Sequence, residues 1–128
     1  MKPEILVVED NESNLLLLRA VLRPEFEVVA ASDADEARHY LRSAKPDLIL
    51  MDVGLPGTNG LELTQELKSQ PSFEIPIVIL TAHALAAHEA AAKAVAADGF
   101  ITKPINTRAL PGTLKRVLAQ TIPHDDAD

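Results

Sequence analysis

The sequence predicts an α/β protein built on a doubly wound, five-stranded parallel sheet. Three observations predict it. Short runs that are apolar throughout recur along the chain, as expected of strands buried on both faces. Helix-period segments separate them, giving strand then helix five times. The 128 residues, 47% hydrophobic and 24% charged, are enough for one domain with a real core.

Each element can be justified in turn. Ile5–Val8 is the first apolar run. Leu15, Leu18 and Leu22 then fall on one helical face. Val28–Ala31 is a second, weaker run. Ala34, Ala37, Leu41 and Ala44 repeat at helical spacing, and Asp33 with Glu36 has the spacing of a capping box. Leu48–Met51 is the third run, and Leu63 with Leu67 marks a shorter helix. Ile77–Leu80 is the fourth run; Ala82–Ala97 follows, rich in the best helix former. Phe100–Thr102 is a short fifth run, and Leu110, Leu114, Val117 and Thr121 outline a last helix. Pro111 removes a backbone donor and Gly112 adds flexibility, so this helix is expected to start late or with a distorted first turn. No repeat or internal linker interrupts the pattern. The expected division is one domain over 1–120 and a short acidic tail over 121–128.

Composition excludes several classes. There is no cysteine, hence no disulfide and no thiolate chemistry. The net charge of -7 opposes direct nucleic-acid binding, and 3% aromatics make no stacking surface. No apolar run has membrane-spanning length, and "MKPEILVVED" reaches acid too soon for a signal peptide, so a cytoplasmic protein without membrane contact is expected.

In such sheets chemistry collects at the carboxyl ends of the strands. There the sequence places Glu9 and Asp10 after the first run, Asp52 after the third, Thr81 after the fourth and Lys103 after the fifth. Taken singly, each reads as a helix cap or a surface charge. Together, at the same end of different elements, they read as a site. Crowded carboxylates repel, and a divalent cation relieves them. Oxygen donors without histidine or cysteine favour Mg2+ over zinc. Lys103 offers a charge and Thr81 a hydroxyl to a phosphoryl group, with a carboxylate as nucleophile.

With these residues in place, the chain resembles a two-component response-regulator receiver domain over about residues 4 to 120. The resemblance implies the flavodoxin-like (βα)5 fold with strand order 2-1-3-4-5. It implies that Asp52 is the phosphoacceptor, taking a phosphoryl group from a histidine kinase or histidine phosphotransferase. Glu9, Asp10, Asp52 and the backbone carbonyl of Gly54 would hold Mg2+. Thr81 would be the switch hydroxyl, Lys103 the phosphate-binding lysine and Phe100 the switch aromatic. The Lys103–Pro104 bond matches one that is usually cis in the family. A downstream protein would be controlled through the face formed by the 82–97 helix, the fifth strand and the last helix. Such a protein is a regulator that takes up and loses a phosphoryl group, not an enzyme acting on other substrates.

Gly54 and His83 occupy positions that often tune dephosphorylation in this family; His83 reads more readily as an exposed polar residue in the first turn of its helix. Five basic residues and one acid, Asp98, lie between Lys93 and Arg116. They read either as a basic face for an acidic partner or as a solvated helix surface. "VVEDNESN" and "LTAHAL" resemble stand-alone receivers of the cell-cycle type and receivers of hybrid histidine kinases alike. The segment after Gln120 is too short for an output domain, so a stand-alone receiver and a module cut from a longer protein both remain open.

Three other classes fit less well. A Mg2+-dependent phosphatase of the haloacid-dehalogenase type needs a second aspartate where this chain has Gly54. A flavodoxin needs a phosphate-cradling first loop, whereas "EDNESN" repels phosphate. A degenerate receiver would have lost the aspartate or the lysine, and both are present.

Overall fold

The computed structural model describes residues 2–54, 57, 59–81, 97–102 and 105–121. Five strands, β1 (Glu4–Val8), β2 (Glu27–Ala31), β3 (Leu48–Asp52), β4 (Ile77–Thr81) and β5 (Gly99–Thr102), form one sheet in the order β2-β1-β3-β4-β5. Every neighbouring pair is parallel, as expected from strands that are each followed by a crossover. The described helices are α1 (Glu12–Leu22), α2 (Ala34–Ser43), α3 (Gly60–Lys68) and α4 (Leu110–Thr121). The predicted 82–97 helix lies outside the described residues except for Ala97, which packs against the core.

The period of two along the strands builds two cores. Ile5, Val7, Leu48, Leu50, Val78 and Leu80 pack with Leu18 and Leu22 of α1 and with Leu110, Leu114 and Val117 of α4. Leu6, Val8, Ile49, Met51, Ile77 and Ile79 face the other way, onto Ala34 and Ala37 of α2 and Leu63 and Leu67 of α3. The sheet is therefore doubly wound. β3 and β4 are buried along their whole length, while the edge strands β2 and β5 are half-buried. That explains why the second and fifth apolar runs are the weaker ones.

Several local expectations are sharpened. β3 ends on Asp52 and β4 on Thr81, as the sequence leads one to expect. α2 ends at Ser43; Ala44 is its extended C-cap. Asp33 does cap α2, accepting from Glu36 N–H, but Glu36 reaches back to Ser32 N–H instead of Asp33, so the box is only half made. The reciprocal box forms at α3, between Asn59 and Glu62. α4 begins at Leu110 after a turn capped by Asn106, so Pro111 sits in the first turn, where a missing N–H costs least. α4 runs through Thr121, and 122–128 lie outside the described residues. Among the described residues, no helix is long and apolar enough to cross a membrane.

Candidate functional site

The strand order reverses between β2-β1 and β3-β4-β5, which puts a crevice at the carboxyl ends of β1 and β3. Val7 pairs with Leu50 and Val8 with Met51, so the next step of the register brings Glu9 opposite Asp52. Glu9 continues the alternation of Ile5 and Val7, and Asp52 that of Leu48 and Leu50. Both therefore leave the sheet on the side covered by α1 and α4. Backbone pairing holds the two ends in place: Glu9 N–H donates to Ala31 O at 2.9 Å, and Val53 N–H donates to Leu80 O at 3.0 Å.

Glu9 is 1% and Asp52 5% exposed, whereas Asp10 is open to solvent. One carboxylate oxygen from each of the three lies within 4.8 Å of the others. Three like charges this close repel by on the order of 3–4 kcal/mol per pair at an effective dielectric constant near 20. Two local devices offset part of this. α1 starts immediately afterwards, with Asn11 as N-cap accepting from Asn14 N–H at 3.0 Å, so the positive end of the helix faces the acids. Asn11 N–H donates to Glu9 Oε2 at 3.2 Å, and Gly54 N–H donates to Asp52 Oδ1 at 3.3 Å. The remaining donors are all oxygens, with one exposed carboxylate and two buried ones. This set fits a hard divalent cation such as Mg2+.

Thr81 is buried at the end of β4, at the same end of the sheet as the acids. Phe100 stands opposite Ile79 in the β4–β5 register and packs, half-buried, on the core beneath α2 and α3. By the pleat, Thr81 lies on that same side, one step further along. Gly54 is exposed, and a Cβ built there would stand 3.9 and 4.0 Å from the Asp52 carboxylate oxygens. Position 54 thus borders the acceptor candidate, and glycine leaves that approach uncovered. Lys103, Pro104 and His83 lie outside the described residues, as does Lys93. Of the other basic residues noted in the sequence, Lys115 pairs with Glu25, Arg116 donates to Thr113 Oγ1 at 3.5 Å, and Arg108 is exposed.

Sequence reading missed Gly60. The later glycines of "VGLPGTNG" read as making the turn into α3; Gly60 is instead its first residue, and its N–H donates to Val53 O at 3.1 Å. Gly57, with φ of 71°, is the true turn glycine. Thr64 was also missed; it is fully buried, and its hydroxyl donates to Gly60 O at 2.7 Å. The Asn59–Glu62 spacing was a readable signal for where this helix begins. A cleft of about 830 Å³ opens at the other end of the sheet, lined by Leu41, Leu67, Phe73 and Ile75. It contains none of the residues nominated above.

Comparison with known proteins agrees with this layout. Residues 5–115 match the family described as response regulator receiver domain. The chain is 38% identical over 125 residues to the phosphate regulon transcriptional regulatory protein PhoB of Rhizobium meliloti, covering 96% of this chain and 55% of that one. It is 34% identical over 120 residues to the polar-differentiation response regulator DivK of Brucella anthropi, covering 92% of this chain and 98% of the relative. The chain thus spans about half the length of the phosphate-regulon relative it matches. Among solved structures, the receiver domain of the sensor histidine kinase PA1611 of Pseudomonas aeruginosa aligns with a TM-score of 0.84 at 30% identity, covering 93% of this chain and 99% of that one. That structure is described with a magnesium ion coordinated in its active-site cleft.

Proposed function

Because the chain belongs to the response regulator receiver family of two-component signalling, we propose that Asp52 is its phosphoacceptor and that Glu9, Asp10, Asp52 and the Gly54 carbonyl hold Mg2+. The observation that carries this reading is the convergence of three carboxylates on the rim between β1 and β3. A Mg2+ ion bound there would neutralise the acids and the charge of an incoming phosphoryl group. An oxygen of Asp52 attacks phosphorus in the phosphohistidine of a kinase or phosphotransferase. A P–O bond forms, the P–N bond breaks, and its electron pair returns to the imidazole nitrogen. The buried β3 aims the carboxylate.

The aspartyl phosphate carries about two negative charges. Thr81 and Lys103 bond its oxygens as their loops draw inward, and Phe100 moves into the space beside Thr81. The placement of Thr81 and Phe100 on one side of adjacent strands supports this coupling. The partner face is then the one formed by the 82–97 segment, β5 and α4, which biases a downstream protein. With no side chain at position 54, water reaches the phosphoryl group, and the signal decays quickly; His83 is a second candidate for tuning that decay. The relatives include a protein nearly matched end to end and one of which the chain covers 55%, so the receiver acts either alone or within a longer regulator or hybrid kinase.

The test is incubation with acetyl phosphate and Mg2+ followed by intact mass. The expected result is the gain of one phosphoryl group, lost when Mg2+ is chelated and absent in Asp52→Asn. Uptake that persists in Asp52→Asn would overturn the assignment.

A further inference from the structure

We propose that Gly60, pinned by the buried hydroxyl of Thr64, is a positioning residue for Asp52. The inference rests on Asp52 as the acceptor. A Cβ at position 60 would lie 2.2 Å from the Asp52 carbonyl oxygen, 2.8 Å from its carbonyl carbon and 3.0 Å from Met51 Cγ. Carbon cannot approach backbone oxygen this closely; relief requires an opening of roughly 1 Å or more. The other loop and helix glycines differ. A Cβ at Gly54 makes ordinary contact, and at Gly57 and Gly112 it meets nothing within 4 Å. Gly60 is therefore required by proximity, not by backbone conformation.

The proximity is built, not incidental. The Asn59–Glu62 box fixes where α3 begins. Gly60 N–H bonds Val53 O at 3.1 Å, and Thr64 Oγ1 bonds Gly60 O at 2.7 Å from a fully buried position. On the opposite side, Val53 N–H bonds Leu80 O at 3.0 Å. Val53 is thus clamped, its N–H on the Asp52–Val53 peptide by β4 and its carbonyl by the start of α3, which also abuts the Asp52 carbonyl. Forcing α3 away tilts that peptide, and with it both the Asp52 carboxylate and Gly54, which share the metal site. A displacement near 1 Å in a reacting group can cost on the order of 100-fold in rate.

The test compares Gly60→Ala, Thr64→Val and, as an indifferent control, Gly112→Ala in the full chain. Two quantities are read: the rate of phosphoryl uptake from saturating acetyl phosphate, and the Mg2+ midpoint followed by the amide resonances of Asp52, Val53 and Gly54. Folded Gly60→Ala should lose at least about tenfold in rate, raise the Mg2+ midpoint and displace those three resonances before metal is added. Thr64→Val should do the same more weakly, and Gly112→Ala should match wild type. Wild-type rate and midpoint in folded Gly60→Ala would overturn the proposal. If Gly60→Ala does not fold, an unmoved midpoint and unmoved resonances in Thr64→Val overturn it. If wild type takes up no phosphoryl group while Gly60→Ala still displaces the resonances and midpoint, the acceptor reading fails and the positioning stands.

Discussion

The two ends of the sheet use carboxylates in opposite ways. At the amino ends four acids are matched to donors. Asp47 accepts from Glu4 N–H at 2.6 Å and so stitches β1 to the approach of β3. Asp98 accepts from Ile77 N–H at 2.8 Å and from Lys68 Nζ at 2.6 Å, tying β4, the entry to β5 and the end of α3 together. Glu4 accepts from the Tyr40 hydroxyl at 2.6 Å; burial first, then this carboxylate, pushes that hydroxyl up to about 12. Arg38 forks onto both oxygens of Glu66 at 2.7 Å, joining α2 to α3. At the carboxyl ends Glu9, Asp10 and Asp52 are gathered against one another. Acids at one end hold the protein together, while those at the other are held together by it. On the proposed reading this asymmetry marks the working end.

The sharpest way to break the comparison is Asp52→Asn. It should abolish phosphoryl uptake and yet raise thermal stability in metal-free buffer by about 1 kcal/mol, because one of three crowded charges disappears. Mg2+ should raise the melting temperature of wild type more than that of the variant. Equal metal effects, or a destabilised variant, would remove the distinction between the two ends.

A smaller effect of opposite sign is expected at the other end. Asp98→Ala should leave phosphoryl uptake intact and cost about 2–3 kcal/mol in urea unfolding, since the Ile77 N–H and Lys68 lose a charged, mostly buried partner. A cost under about 0.5 kcal/mol would mean that the clamp contributes little.

The smallest effect tests the α2–α3 fork through pH. The Arg38 hydrogen bonds hold Glu66 below its usual value, against the opposing effect of burial. A depressed carboxylate stabilises the fold above its unfolded value, and that contribution disappears as pH falls through the folded value. Glu66→Gln should therefore lower stability near neutrality by less than about 1 kcal/mol, because the Glu66 side chain is 43% exposed and screened. The gap from wild type should close on acidification. A gap independent of pH would assign the effect to packing.

What the sequence made legible follows the same division. β3 and β4 were readable because burial on both faces leaves uninterrupted apolar runs, and the rim acids because they stand directly at the ends of such runs. β2 was weak because an edge strand needs only partial apolarity. The matched pairs were unreadable because Lys68 and Asp98 lie 30 positions apart and Arg38 and Glu66 28 apart, so only the fold brings them together. Gly60 was hidden for a different reason. A glycine closing the "VGLPGTN" loop looks like a turn residue until the distance to the Asp52 carbonyl is known. The start of α3, in contrast, was open to reading at Asn59 and Glu62, which have the same spacing as Asp33 and Glu36.

The burial pattern of the strands has a consequence for how the molecule breathes. Amide hydrogen exchange proceeds through local openings, which begin where backbone hydrogen bonds are least covered. β2 and β5 are half-buried edges, whereas β3 and β4 are sealed. Exchange should therefore be fastest in β2 and β5, while the amides around Asp52 open only with the whole domain. Phe100 stands on the strand that yields, and Asp52 on the strand that does not. On the proposed reading, the protein can loosen the element that would report a signal without loosening the element that would receive it.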